Sequence, residues 1–169
     1  MAKDKAVKDL MIDVFEFPHI PYWFSIRQAI GILKKSVLSS EKCHHPIAIL
    51  VFDEKYNLLG IAGLKDILKI IEPKLIKGAG PSDDDPKLSS YLSTLFGKDS
   101  KDASDRPIGD AIVPSKVFIK PEDSVTRAAY LMVQNNLRLL PVLEDNKKLV
   151  GVVRMIEVFQ EITGSVLAE

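Results

Sequence analysis

The chain has 169 residues and a formal net charge of zero. It has no dense run of lysine and arginine, so we expect no nucleic-acid partner. Its single cysteine, Cys43, excludes an intrachain disulfide and favours the reducing cytoplasm. Because the longest apolar run, Ile47 to Phe52, is far too short to cross a bilayer, we expect a cytoplasmic protein with no membrane partner.

The first group of predicted elements starts near His19. Ser25 and Gln28 have the spacing of a capping box, which predicts that a helix begins there. Two apolar strands follow, PIAILVF and Leu58 to Ala62, and the short polar turn DEKYN between them predicts a hairpin. A second helix is predicted from residues spaced i, i+3, i+4 and i+7, which should form one buried stripe: Leu64, Ile67, Leu68 and Ile71.

The same elements recur ninety-one positions later, from Leu58 to Leu149. The strands LRLLPVL and Leu149 to Val153 flank the turn EDNKK, and the segment FIKPEDSVTRAAYLM aligns with HIPYWFSIRQAIGIL. The final helix repeats the stripe with Met155, Val158, Phe159 and Ile162. Each repeat therefore reads strand, helix, strand, strand, helix, and each follows a similar lead-in segment, VKDLMID or IGDAIVP.

The predicted domain organisation places the first repeat and its lead-in at 1–74, a linker at 75–107 and the second repeat at 108–169. Glycine, serine, aspartate and proline dominate both ends of the linker. Its middle, DPKLSSYLSTLF, is predicted to form a short helix.

The second repeat resembles a CBS domain, the regulatory module named after cystathionine beta-synthase, almost end to end. Family positions are matched by Arg138, Leu140, Pro141, Val142 and Gly151. The first repeat is divergent, with PYW in place of a polar proline-containing turn. The resemblance implies an α/β (mixed α+β) fold in which two pseudo-twofold-related CBS repeats pack as one module. It also implies clefts that bind adenosine-containing ligands such as AMP, ADP, ATP, S-adenosylmethionine or NAD, and a homodimer.

The family holds ribose and phosphate with a glycine, two apolar residues, a Ser or Thr, two more residues and an Asp, at the turn into the last helix. In the first repeat this stretch runs from Gly60 and ends in Gly63, Leu64, Lys65 and Asp66, with the Asp present and the hydroxyl absent. A carboxylate there can accept from ribose hydroxyls. In the second repeat Arg154 and Glu157 take the two polar positions, so that Arg154 either clamps a phosphate or fills the cleft and pairs with Glu157.

Other candidate residues have ordinary structural alternatives. Arg138 lies in an apolar strand and needs a phosphate, a carboxylate or a dimer contact for its charge. Pro141 marks a strand edge or bulge, which the resemblance places beside adenine. The full set of predicted nucleotide-binding residues is Asp66, Gly63, Lys65, His19, Ile20, Phe118, Ile119, Arg138, Pro141, Arg154 and Glu157.

Two further clusters stand out. Cys43, His44 and His45 are consecutive and cannot easily converge on one ion, so we expect a loop and no metal. The aromatic residues of the first repeat are either core or an exposed docking surface for a partner, and they comprise Phe15, Phe17, Tyr22, Trp23 and Phe24.

No Gly-x-Ser-x-Gly, Walker A or HExxH motif is present, so we expect no enzymatic activity. The predicted function is a regulatory sensor that needs no cofactor, binds an adenine nucleotide of the AMP, ADP or ATP class as a regulatory ligand, and signals to a partner protein. The alternative is a dimerising interaction module whose nucleotide sites have decayed.

Overall fold

The computed structural model describes residues 4–35, 46–76, 78 and 80–168. In chain order its strands and helices are β1 (Ile12–Asp13), β2 (His19–Pro21), α1 (Ile26–Leu33), β3 (Ala48–Phe52), β4 (Leu58–Gly63), α2 (Leu64–Ile71), α3 (Leu88–Leu92), α4 (Lys98–Ala103), α5 (Val125–Gln134), β5 (Leu139–Glu144), β6 (Lys148–Arg154) and α6 (Met155–Leu167). Single 3-10 turns lie at Val7–Asp9, Val14–Glu16, Pro73–Leu75 and Ile108–Ala111.

The strands form two three-stranded sheets, one for each repeat. In the first sheet β3 lies between β2, which is parallel to it, and β4, which is antiparallel to it. In the second sheet β6 lies between β1 and β5 and is antiparallel to both. Both predicted hairpins, β3–β4 and β5–β6, are confirmed. The predicted first strand of the second repeat is reduced to one parallel bridge, Ile119 to Val142.

The predicted capping box at the start of α1 is confirmed. The Gln28 backbone N–H donates to Ser25 Oγ at 3.1 Å, and the Ser25 backbone N–H donates to Gln28 Oε1 at 2.9 Å. In the second repeat Ser124 caps α5 by accepting from the Arg127 backbone N–H at 3.0 Å. Since these side chains satisfy N–H groups that have no partner inside the helix, they fix where each helix begins.

The buried stripes of α2 and α6 are narrower than their spacing predicts. Ile67 is 4% exposed, whereas Leu64 and Leu68 are 41% and 44% exposed. On α6 Val158 is 1% exposed and Phe159 is 61% exposed. Full burial was therefore a wrong prediction for Leu64, Leu68 and Phe159, because the rest of the fold leaves these side chains partly open to solvent.

The two lead-in segments are exchanged between the repeats. Val7, from the first lead-in, is fully buried in the core of the second repeat, and its backbone N–H donates to Asp123 O at 2.8 Å. Ile108, from the second lead-in, is fully buried in the core of the first repeat, and its N–H donates to Phe24 O at 2.7 Å. Strand β1 likewise pairs with β6 of the second repeat. Each repeat is thus completed by a segment that precedes the other.

A third apolar cluster joins the two sheets. Its buried members are Val14, Phe17, Leu50, Leu139, Leu143, Leu149 and Val152. Because these side chains come from both repeats, they hold the sheets against each other and fix the walls of the groove between the repeats. Burial of this cluster also supplies apolar area that a repeat of about 60 residues could not bury alone.

The linker between the repeats packs on the first repeat. It contains the predicted short helix, α3, and a second helix, α4, that its composition did not indicate. The Arg27 Nε donates to Asp105 Oδ1 at 2.9 Å. Glu72 is 6% exposed, and its carboxylate accepts from the Phe96 backbone N–H at 3.1 Å and the Lys74 backbone N–H at 3.2 Å. The end of α2 therefore anchors the linker.

Candidate functional site

A cleft of about 510 Å³ lies between the repeats, and we call it the inter-repeat cleft. The first repeat supplies the start of β3 and the turn from β4 into α2, while the second repeat supplies the segment between α5 and β5. The second lead-in forms the remaining wall. The lining residues are Pro46, Ile47, Ala48, Ile61, Gly63, Asp66, Val113, Pro114, Ser115, Lys116, Val117, Asn135, Asn136, Leu137, Arg138 and Leu139.

Asp66 is the carboxylate of this cleft. It is the third residue of α2, and its Oδ2 accepts from the Gly63 backbone N–H at 2.9 Å, which fixes the side chain across the first turn. No described residue donates a hydrogen bond to Asp66 Oδ1. Gly63 has no side chain to cover the carboxylate, so a half-buried acceptor stays open toward the cleft.

Arg138 and Lys116 bring positive charge to the same cleft. Both residues are exposed, and neither makes a side-chain hydrogen bond or ion pair with another described residue. The backbone of Arg138 is held in place, because its carbonyl accepts from the Met155 N–H at 2.7 Å. The cleft thus combines an acid from the first repeat with a guanidinium from the second.

The corresponding turn in the second repeat is filled by its own side chains. Arg154 is 8% exposed, and its guanidinium forms a bidentate ion pair with the Glu157 carboxylate. The Nε donates to the two carboxylate oxygens at 2.9 and 3.1 Å, and Nη2 also contacts Oε1. Of the two alternatives for Arg154, the structure therefore shows the pairing with Glu157.

The other predicted site residues do not line the inter-repeat cleft. Lys65 is exposed outside it, while Ile20 and Ile119 are 1% exposed and belong to the two cores. Pro141 is buried in β5, where its carbonyl accepts from the Ile119 N–H at 3.0 Å. His19 Nδ1 lies 2.8 Å from the Phe17 carbonyl oxygen. Phe118 packs against the cluster that joins the sheets.

The wall formed by the second lead-in was missed from the sequence. Val113 pairs with Ile61 through two backbone hydrogen bonds of 3.0 and 3.1 Å, which holds the lead-in beside β4. Ser115 Oγ donates to the Val117 carbonyl at 3.2 Å. The echo between VKDLMID and IGDAIVP indicates paired lead-ins, but it does not show on which repeat each one packs.

The aromatic residues of the first repeat are largely exposed. Phe15 is 78% exposed and Trp23 is 48% exposed, whereas Phe17 is buried. The Tyr22 and Trp23 rings meet edge to face at 5.2 Å. The Tyr22 hydroxyl donates to Glu54 at 2.9 Å, and this hydrogen bond raises the pKa of Tyr22 above its ordinary value. The sequence left core and exposed surface as alternatives for these aromatic residues, and most of them are exposed.

The described residues contain no group of three or more His, Cys, Asp or Glu side chains that could hold a metal ion. The Cys43–His45 cluster lies outside the described residues. Within the described ranges no helix has the length and apolarity needed to span a bilayer.

Comparison with known proteins identifies a family for the second half of the chain. The CBS domain model matches residues 108–164. An uncharacterised protein of Methanocaldococcus jannaschii is 30% identical over 109 residues, which are 61% of this chain and 65% of the relative. The chain spans 65%, 34% and 44% of the three curated relatives it matches, and thus less than two thirds of each.

Solved structures share the fold over nearly the whole chain. CBSX2 of Arabidopsis thaliana in complex with AMP has a TM-score of 0.63 and 19% identity, with 95% of this chain and 98% of that chain covered. The cytosolic domain of the Mg²⁺ channel MgtE in complex with ATP has a TM-score of 0.63 and 18% identity, with 94% of this chain and 48% of that chain covered. The two-repeat arrangement is therefore shared with known structures.

Proposed function

The chain is a tandem CBS-domain protein, and from this premise we propose that it is a regulatory module that binds an adenine nucleotide in the inter-repeat cleft. One observation carries the proposal: the open carboxylate of Asp66 and the guanidinium of Arg138, which pairs with no described side chain, come from different repeats and line one cleft of about 510 Å³. The volume suits a small organic ligand.

The chemistry of the cleft matches the three parts of such a nucleotide. Asp66 Oδ1 accepts from the ribose hydroxyls, because a carboxylate is a strong acceptor for such donors. Arg138 and Lys116 neutralise the phosphate. The apolar walls, which include Ile47 and Val117, cover the adenine ring. CBSX2 and the MgtE cytosolic domain have been solved with AMP and ATP, which supports this class of ligand.

A ligand that touches both repeats would favour the relative orientation of the repeats that it fits best. The free energy available to regulate a partner protein can be no larger than the difference in nucleotide-binding free energy between the two orientations. On this proposal the protein has no catalytic role, needs no cofactor and works in the cytoplasm, where its single cysteine stays reduced.

Isothermal titration calorimetry with AMP, ADP and ATP tests the proposal. Asp66→Asn keeps an oxygen that can accept from the Gly63 N–H but removes the charge that holds the ribose. Since a hydrogen bond to a charged group contributes about 1.5–3 kcal/mol and a neutral one about 1 kcal/mol, we expect nucleotide affinity to fall by about two- to thirtyfold.

Asp123→Asn is the matched control. Its Oδ2 accepts from the Lys120 backbone N–H at 2.9 Å, as Asp66 accepts from Gly63, but it does not line the cleft. Its affinity for nucleotide should equal that of the wild type. Equal affinities for the wild type and Asp66→Asn would remove Asp66 from the site, and no heat with any of the three nucleotides at millimolar concentration would overturn the proposal.

We also propose a homodimer, because apolar side chains remain exposed on three helices. They are Leu64 and Leu68 on α2, Tyr130 and Val133 on α5, and Ile156, Phe159 and Val166 on α6. Because large exposed apolar patches on proteins tend to be interaction surfaces, these side chains support an interface between two copies of the chain.

The second candidate function is a ligand-free interaction module. The Arg154–Glu157 pair that fills one turn and the exposed aromatic surface of the first repeat favour it. If the protein is a dimer in solution and binds no nucleotide, the interaction module would be favoured over the nucleotide sensor.

A further inference from the structure

The turns into α2 and α6 are structurally equivalent. Gly63 ends β4 opposite Ala48, and Arg154 ends β6 opposite Leu139, so each residue has the same place in its hairpin. Each is also the residue that precedes the first turn of its helix. Asp66 and Glu157 are both the third residue of these helices. The two turns therefore present the same backbone and an acid at the same position.

The two turns differ in what faces the acid. A Cβ placed on Gly63 would lie 3.3 Å from Asp66 Oδ2, so any side chain at this position would lie against the carboxylate. In the second repeat that side chain is present. Both oxygens of Glu157 accept from the Arg154 guanidinium, and the acid that would serve a ribose is already occupied.

A neutral ligand group cannot easily replace this guanidinium. Bidentate contacts between arginine and a carboxylate are charge-assisted and stronger than hydrogen bonds from a hydroxyl. The Arg154 side chain is only 10% exposed, so opening the pair would leave a charge in a poorly solvated position. A ribose would have to displace the guanidinium from its carboxylate partner.

We call the turn into α6, which is equivalent to the Asp66 turn, the second half-site. We propose that the Arg154–Glu157 pair is a latch that closes this half-site to nucleotide, so that each chain binds one nucleotide and Arg154 determines this number. The inference rests on the proposed function, because it assumes that the inter-repeat cleft binds nucleotide. It assigns the two residues a role opposite to ligand binding: the pair excludes ligand from the second half-site.

Reciprocal exchange of the two turns tests the latch. Arg154→Gly with Glu157→Asp gives the second turn the residues of the first, and calorimetric stoichiometry with the tightest of AMP, ADP and ATP should rise from one to two per chain. Gly63→Arg with Asp66→Glu gives the first turn the latch, and binding should be lost. Circular dichroism and thermal melting establish that both variants fold.

Asp66→Asn in the otherwise unchanged protein provides a test that does not depend on either exchange. If the latch closes the second half-site, all nucleotide binding should be weaker in this variant. The titration should then show no second class of sites with wild-type affinity. Wild-type stoichiometry of two, or a folded Arg154→Gly/Glu157→Asp variant that still binds one nucleotide, would overturn the latch while leaving the proposed function intact. Absence of wild-type binding would instead overturn the proposed function.

Discussion

Replacement of Gly60 by alanine should destabilise the protein, because the second lead-in lies directly against this residue. A Cβ on Gly60 would lie 2.6 Å from the Val113 carbonyl oxygen and 3.1 Å from its carbonyl carbon. These are backbone atoms, so the clash cannot be relieved by a side-chain rotation. The lead-in would have to move away from β4.

The cost follows from the contacts that this movement breaks. Overpacking of a well-packed site costs about 1–3 kcal/mol, and each of the two Ile61–Val113 backbone hydrogen bonds contributes about 1 kcal/mol. We expect a loss of about 3–5 kcal/mol in the free energy of unfolding. For a protein of this size that loss lowers Tm by about 6–20 °C. Because Val113 also lines the inter-repeat cleft, nucleotide affinity should fall as well.

Urea denaturation followed by circular dichroism measures this loss, and Gly31→Ala is the matched control. Gly31 lies in α1, and a methyl group there would meet no described heavy atom within 4 Å beyond its own helix. Alanine is also the better helix former by about 1 kcal/mol, so the control should be slightly stabilised. Gly60→Ala within about 0.5 kcal/mol of the wild type, the size of ordinary surface effects, would refute the contact between lead-in and strand.

Two other predictions test the linker and the dimer. Glu72→Ala removes the acceptor of the Phe96 and Lys74 backbone N–H groups, so Tm should fall. Limited proteolysis should also cut within 80–97 faster than in the wild type, and an unchanged cleavage rate would show that Glu72 does not anchor the linker. Phe159→Asp places a charge on the exposed face of α6, so light scattering should show a monomer. Its Tm should fall only by the stabilisation that dimer association supplies. A variant that remains dimeric would place the interface elsewhere.

The elements set by neighbouring residues were predictable from the sequence. The capping box at Ser25 and both hairpins follow from short-range chemistry, and so does the position of Asp66 in the first turn of α2. These features depend on contacts within a few residues, so the local pattern determines them.

Features that depend on distant segments were not predictable. Periodicity identified the apolar faces of α2 and α6, but the width of the buried stripe depends on how much of each helix its neighbours in the fold cover, and Leu64 and Phe159 remain exposed. The similar lead-ins fit either repeat by composition, so their exchange and the wall at Val113 appear only in the fold. For Arg154 the sequence left two partners open, and the buried ion pair with Glu157 appears only in the fold.

The exchanged lead-ins also protect the sheet of the second repeat from unwanted pairing. Strand β1 covers the outer edge of β6, where Ile12 pairs with Val152 and Asp13 pairs with Gly151. A fragment of residues 108–168 would lose this cover and present β6 as a free edge, which is a template for pairing with another chain. The fragment would also lack Val7 from its core. An isolated second repeat would therefore tend to aggregate through β6, although its own sequence carries nearly the complete family pattern.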